Sequence, residues 1–159
     1  MIFTPRRPGS RAACATVRTG LTAGLAVVLV TGAAAPAAAA APSLGQRAVT
    51  EAARHRGAPY EYGAAGPTRF DCSGLTQYVY GRLGRRLPRT TDQQYAALAH
   101  VARGNQAPGD LLFMQGSGGS LTHVGIYAGN NQWWVAPKTG DVVKLQTLYS
   151  TGYVVGRVG

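Results

Sequence analysis

The sequence predicts an α+β domain with N-terminal helices packed on an antiparallel β-sheet, and three observations carry that expectation. Between residues 44 and about 100 apolar side chains recur at helical spacing. After the Pro-Gly-Asp turn at 108–110 they gather into short runs rich in β-branched and aromatic residues. Gly, Asn and a Lys-Thr-Gly turn separate those runs closely enough for hairpins. Helices first and strands second is the order of an α+β chain, not of an alternating α/β one.

The first segment is of another kind. Residues 1–20 carry Arg6, Arg7, Arg11 and Arg18 and no acid, followed by "LTAGLAVVLV" and an alanine-rich run. Basic, apolar, then small is the order of a secretory signal peptide, expected over 1–41, and its apolar part is too short for a membrane span. The expectation is therefore a secreted, wall-associated protein without a stable membrane anchor. Residues 42–159 form one small domain, expected to act as a monomer. Removing four arginines from the 16 basic residues leaves 12 against 6 acids, a net charge of +6. A basic exported protein adheres to anionic surfaces, so anionic wall polymers are expected partners. No recognition motif interleaves the arginines, and no nucleic acid partner is expected.

Within the domain, "LGQRAVTEAARHR" at 44–56 spaces apolar residues as a helix, and Gly57 supplies a stop. The Gly- and Pro-rich stretch 57–70 reads as loop. Asp71 can cap a second helix from Cys72 to about Leu83. "LPRTTDQQYAALAHV" offers a cap at Thr91 and a short third helix. "DLLFM", "HVGIYAG", "QWWVA", "VVKL" and "YVVGRV" follow as strands. Trp133 and Trp134, adjacent on a strand, must point to opposite faces, one into the core and the other free to line a groove.

Chemistry concentrates at Cys72. The only other cysteine, Cys14, lies in the signal segment, so the mature chain offers no disulfide partner, and a lone thiol in an exported protein is a candidate nucleophile. His55, His100 and His123 are too few and too scattered for a soft metal site, and no metal or cofactor is expected. A cysteine in the first helical turn meets unpaired backbone N–H groups and the positive end of the helix dipole, which favour the thiolate. His123, at the start of a strand, is the candidate base. His123, Gly125 and Tyr127 share one face, and Gly125 is expected to leave space beside the imidazole. His55 and His100 read as surface residues at helix ends. "GSGGS" at 116–120 reads as a flexible loop beside the groove.

"PYEYG" at 59–63, "FDCSGLTQYVY" at 70–80, "LPRTTDQQ" at 87–94, "APGDLLFM" at 107–114 and "THVGIYAGNN" at 122–131 together resemble the NlpC/P60 family of cell-wall cysteine peptidases. The resemblance implies a papain-like, circularly permuted fold. It implies cleavage of peptidoglycan stem peptides at the D-γ-glutamyl–diamino acid bond, with Cys72 as nucleophile and His123 as base. It also implies that the Cys72 N–H and the Tyr60 hydroxyl face the oxyanion, and that Asp71 and Ser73 hold a free amino end. Arg89, inside the "LPRT" block, is expected near that site. In one place the chain departs from the family pattern: the third catalytic position, twelve residues after the histidine, is Val135, which cannot accept a hydrogen bond. The histidine then works in a dyad, or Asn131 or Gln132 reaches back, or the protein binds wall without efficient hydrolysis. An amidase cutting between muramic acid and L-alanine is the alternative enzyme reading.

Overall fold

Three α-helices lead into a six-stranded antiparallel sheet in the computed structural model, which describes residues 40–159. The expected signal peptide and Cys14 fall outside the described residues, apart from the segment's last two positions. Helix α1 spans Leu44–Ala53 and opens with a capping box, in which Ser43 and Gln46 each bond the other's backbone. It ends three residues short of the expected Arg56. The chain continues as turns to Gly57, whose φ of +86° and N–H bond to Val143 O lead it toward the sheet. Helix α2 spans Cys72–Arg82, capped by Asp71, whose Oδ1 accepts the Gly74 N–H at 2.7 Å. Helix α3 spans Thr91–Ala96 and corrects the expected cap: Thr90, not Thr91, has the extended backbone and accepts the Gln93 N–H. Thr91 is thereby left inside the first turn with its hydroxyl available.

The strands are β1 (Ala99–Val101), β2 (Leu111–Gln115), β3 (Leu121–Gly129), β4 (Gln132–Val135), β5 (Lys144–Thr147) and β6 (Tyr153–Arg157), in the spatial order β1-β6-β2-β3-β4-β5. Strand β1 was expected as the tail of the third helix. The run 96–99 that leads into it, Ala-Ala-Leu-Ala, favours continued helix, but the free edge of β6 supplies pairing partners, and tertiary context overrides local propensity. Strand β5 lies two residues later than the expected "VVKL". Val143 is drawn off to Ala58 O and Val142 bridges to Pro59, so pairing with β4 starts at Lys144.

The sheet separates two apolar clusters. On one face Leu111, Phe113, Val124, Ile126 and Trp134 pack against Ala48 and Ala52 of α1 and Leu75, Val79 and Tyr80 of α2. On the other, Leu112, Met114, Trp133, Val135, Tyr153 and Val155 pack together. The alternation of β2 and β4 is thus buried on both sides. Each large side chain so buried stabilises the fold by about 1.5–3 kcal/mol relative to exposure. The packing also fixes α2 against β3, which brings the N-terminus of α2 to the strand that carries His123.

Candidate active site

Asp71 organises the start of α2. Its Oδ1 accepts Gly74 N–H, the Ser73 hydroxyl at 3.4 Å and Arg89 Nη1 at 3.1 Å. Its Oδ2 accepts Gly63 N–H at 2.8 Å and Arg89 Nη2. Arg89 Nη1 also donates to Ser73 Oγ at 2.9 Å. Burial alone would raise the Asp71 pKa. The Arg89 guanidinium and the two backbone N–H groups outweigh it and hold the carboxyl below the usual carboxylate value. Asp71 is therefore a helix cap and the centre of a charged cluster at once. Asp71, Ser73 and Arg89 line, with Tyr60, Tyr62 and Cys72, an open cleft of about 440 Å³.

Cys72 occupies the first position of α2 and is partly exposed to that cleft. The sulfur faces the backbone N–H groups of Val124 and Ser73 and the Thr91 hydroxyl, all of which favour the thiolate. Burial, reinforced by the nearby Asp71 charge, outweighs them and pushes the thiol pKa up. The expectation of a helix-lowered thiol is corrected here: the first turn does aim N–H groups at the sulfur, but it does so in a desolvated setting beside a carboxylate. Tyr60 sits in the same cleft, its phenol pKa raised by burial and by the proximity of Cys72 and Asp71.

His123 lies one residue from Val124, the residue whose N–H meets the sulfur. It shares a sheet face with Met114, its partner in β2. The structure shows no hydrogen bond between ring and sulfur. The imidazole packs edge-on to Trp133 with centroids 5.4 Å apart, and burial depresses its pKa to about 4. At neutral pH the two groups therefore stand as thiol and neutral imidazole, not as a preformed ion pair.

The third position is apolar in space as well as in sequence. Val135 is fully buried. One step beyond the Ile126–Trp134 pair it stands beside Gly125, and a Cβ on Gly125 would lie 2.6 Å from Val135 Cγ1 and from Trp133 Cε3. The space expected over Gly125 is thus filled by these two side chains, and Val135 is opposite Gly125, not His123. Neither rescue from the turn is built. Asn131 donates to Leu148 O, and Gln132 pairs with Gly129 at the far end of β3. Both tryptophans are buried, on opposite faces as expected, so neither lines a groove. His55 is half-buried against Phe70 and Tyr78 and is not a surface residue, whereas His100 is exposed and stacks on Tyr95.

Sequence reasoning missed two features. Thr91 supplies a hydroxyl to the sulfur. A second cleft of about 530 Å³ opens on the His123 side, lined by Lys138, Asp141, Lys144, Gln146 and Tyr149, and shares Thr122 with the first. Apart from Thr122 and His123 of β3, its residues come from the segment after β4, which bridges to Pro59, from β5, and from Tyr149 just beyond β5.

A family model described as "NlpC/P60 family" matches residues 57–156. A probable endopeptidase p60 of Listeria monocytogenes is 42% identical over 111 residues, 68% of this chain and 22% of that protein. A bifunctional muramidase/DL-endopeptidase of Bacillus subtilis is 40% identical over 93 residues, 57% of this chain and 28% of that protein. This chain thus spans less than a third of the length of either curated relative. Among solved structures, the NlpC/p60 domain of the peptidoglycan hydrolase SagA superposes with a TM-score of 0.67 at 35% identity, covering 73% of this chain and all of that one.

Proposed function

We propose that this chain, which belongs to the NlpC/P60 family, is a secreted, wall-associated peptidoglycan endopeptidase that cleaves stem peptides between D-γ-glutamate and the diamino acid. The observation that supports this best is the position of Cys72: first in α2, open to a cleft, with its sulfur against the backbone of the residue next to His123. The names of the relatives, an endopeptidase and a DL-endopeptidase among them, point to the same bond class.

In the proposed reaction His123 takes the thiol proton as the sulfur attacks the γ-carbonyl. The Cys72 N–H, unpaired because it heads a helix, and the Tyr60 hydroxyl face the oxyanion. The C–N bond breaks, the imidazolium gives its proton to the departing amine, and a thioester remains. Water, deprotonated by His123, then displaces the sulfur, which recovers the proton. Asp71 and Ser73, braced by Arg89, receive the free amino end of the acyl half. Val135 leaves the imidazole to work in a dyad with Cys72, its ring held edge-on by Trp133.

Replacement of Cys72 by Ala is expected to abolish release of soluble fragments from purified peptidoglycan, measured by mass spectrometry. New amino termini on the diamino acid support the endopeptidase, and on L-alanine the amidase. Unchanged release from the variant removes Cys72 from the mechanism. The buried, apolar Val135 favours one further reading, a wall-binding protein with impaired hydrolysis. Retention on peptidoglycan without fragments, together with activity gained on Val135→His, would establish that reading instead.

A further inference from the structure

Two clefts flank the Cys72–His123 pair and meet at Thr122. Resting on the proposed reaction, the chemistry orients the substrate across them. The imidazole must hand its proton to the departing amine, so the leaving half lies on the His123 side and the acyl half on the Asp71 side.

The His123-side cleft carries three charges. Lys144 Nζ holds Asp141 Oδ2 at 2.7 Å, and Asp141 Oδ1 also takes the Val142 N–H at 2.8 Å. Among the described residues Lys138 stands in no ion pair, and it is exposed at the rim after β4. The Lys144 hydrogen bond, and with it the Lys138 charge, helps hold the Asp141 carboxyl below its usual value, so the cleft sets two lysines against one carboxylate and stays net positive. Tyr149, 70% exposed and edge-on to Trp133 at 6.5 Å, adds an apolar wall against which a hydrocarbon side chain can lie. A diamino acid whose side chain ends in a bare ammonium brings positive charge to a positive cleft. One whose side chain ends in both an amine and a carboxylate brings no net charge and an acceptor for Lys138.

We propose that this cleft is a leaving-group subsite that selects a diamino acid with a carboxylate at its side-chain end, and that Lys138 is the partner of that carboxylate. The test uses three soluble tripeptides, L-alanyl-γ-D-glutamyl-X, in which X is diaminopimelic acid, its side-chain monoamide, or lysine. The diacid peptide is expected to show a kcat/KM about fivefold above each of the others, the size of a partly exposed ion pair. That preference shrinks as salt rises. Lys138→Arg keeps it, Lys138→Ala brings the three peptides level, and Lys138→Glu turns it toward lysine. Cys72-dependent cleavage without a preference, or a preference that survives both Lys138→Ala and Lys138→Glu, overturns the subsite and leaves the proposed reaction standing. Absence of Cys72-dependent cleavage of all three peptides overturns both.

Discussion

His123 contributes to the acid behaviour of the molecule, because it is a partly buried imidazole whose pKa of about 4 lies below the ordinary histidine value of 6.5. Between those two values the unfolded chain holds a proton on this ring that the folded chain does not. Stability is thus highest above pH 6.5 and falls as pH drops toward 4, where the loss levels off. The shift corresponds to about 3 kcal/mol. Urea unfolding at pH 7 and pH 4.5 measures it: the wild-type difference should exceed that of His123→Gln by roughly 2 kcal/mol, and equal differences would show that the ring is not desolvated. The same neutral ring is the base of the proposed dyad, so its acid limb of kcat/KM should fall near 4, well below that of a solvent-exposed histidine. Nothing polar at position 135 opposes this. A His, Asn or Gln there would bring hydrogen-bonding capacity beside the strand, and Val135 brings only packing.

Among the elements, the start of α2 depends on a segment that is not part of it. Arg89 comes from the stretch between α2 and α3, and Gln94 of α3 pins that stretch by donating to Pro88 O and Ser73 O, each at 2.9 Å. Arg89→Ala leaves a buried carboxylate with only its backbone and Ser73 partners and should cost roughly 1–2 kcal/mol at pH 7, less than for a fully buried pair because the guanidinium is partly exposed and screened by solvent. Asp71 has a lowered pKa, so the stabilisation is present above its ordinary value of 3.8 and is lost as pH falls through the folded value. The penalty of Arg89→Ala should accordingly shrink in acid, and a penalty of equal size at pH 7 and pH 3 would mean that Arg89 acts through packing alone. Much at this scale was legible in advance. The Asp71 cap, Cys72 as the first helical residue and the five later strands all follow from local spacing and turn chemistry. Features that depend on neighbours distant in sequence were not legible: β1 taken up by the edge of β6, β5 displaced by the bridge between Pro59 and Val142, Gly125 roofed by Trp133 and Val135, and the thiol raised by burial beside Asp71.

For the whole molecule, the distribution of charge matters more than its sum. Five of the six acids, all but Asp92, stand in ion pairs among the described residues: Glu51 with Arg54 and Arg82, Glu61 with Arg69, Asp71 with Arg89, Asp110 with Arg157 and Asp141 with Lys144. The acids are thus largely spent on neighbours, while Arg47, Arg56, Arg85, Arg86, Arg103 and Lys138 stand in no such pair. Arg85 and Arg86 are exposed side by side just past the end of α2 and line neither cleft beside the proposed catalytic pair. Exposed charges of one sign act on a polyanion at long range and are screened by salt over about 10 Å at 0.1 M. Binding to a wall polymer bearing phosphate should therefore weaken steeply with ionic strength. It should weaken further when Arg85 and Arg86 are both replaced by Gln, because two of six uncommitted cations are then gone. Elution of the two proteins from immobilised wall by a salt gradient measures this directly. The variant should leave at the lower salt concentration, and co-elution with the parent would place the adhesive surface elsewhere on the domain.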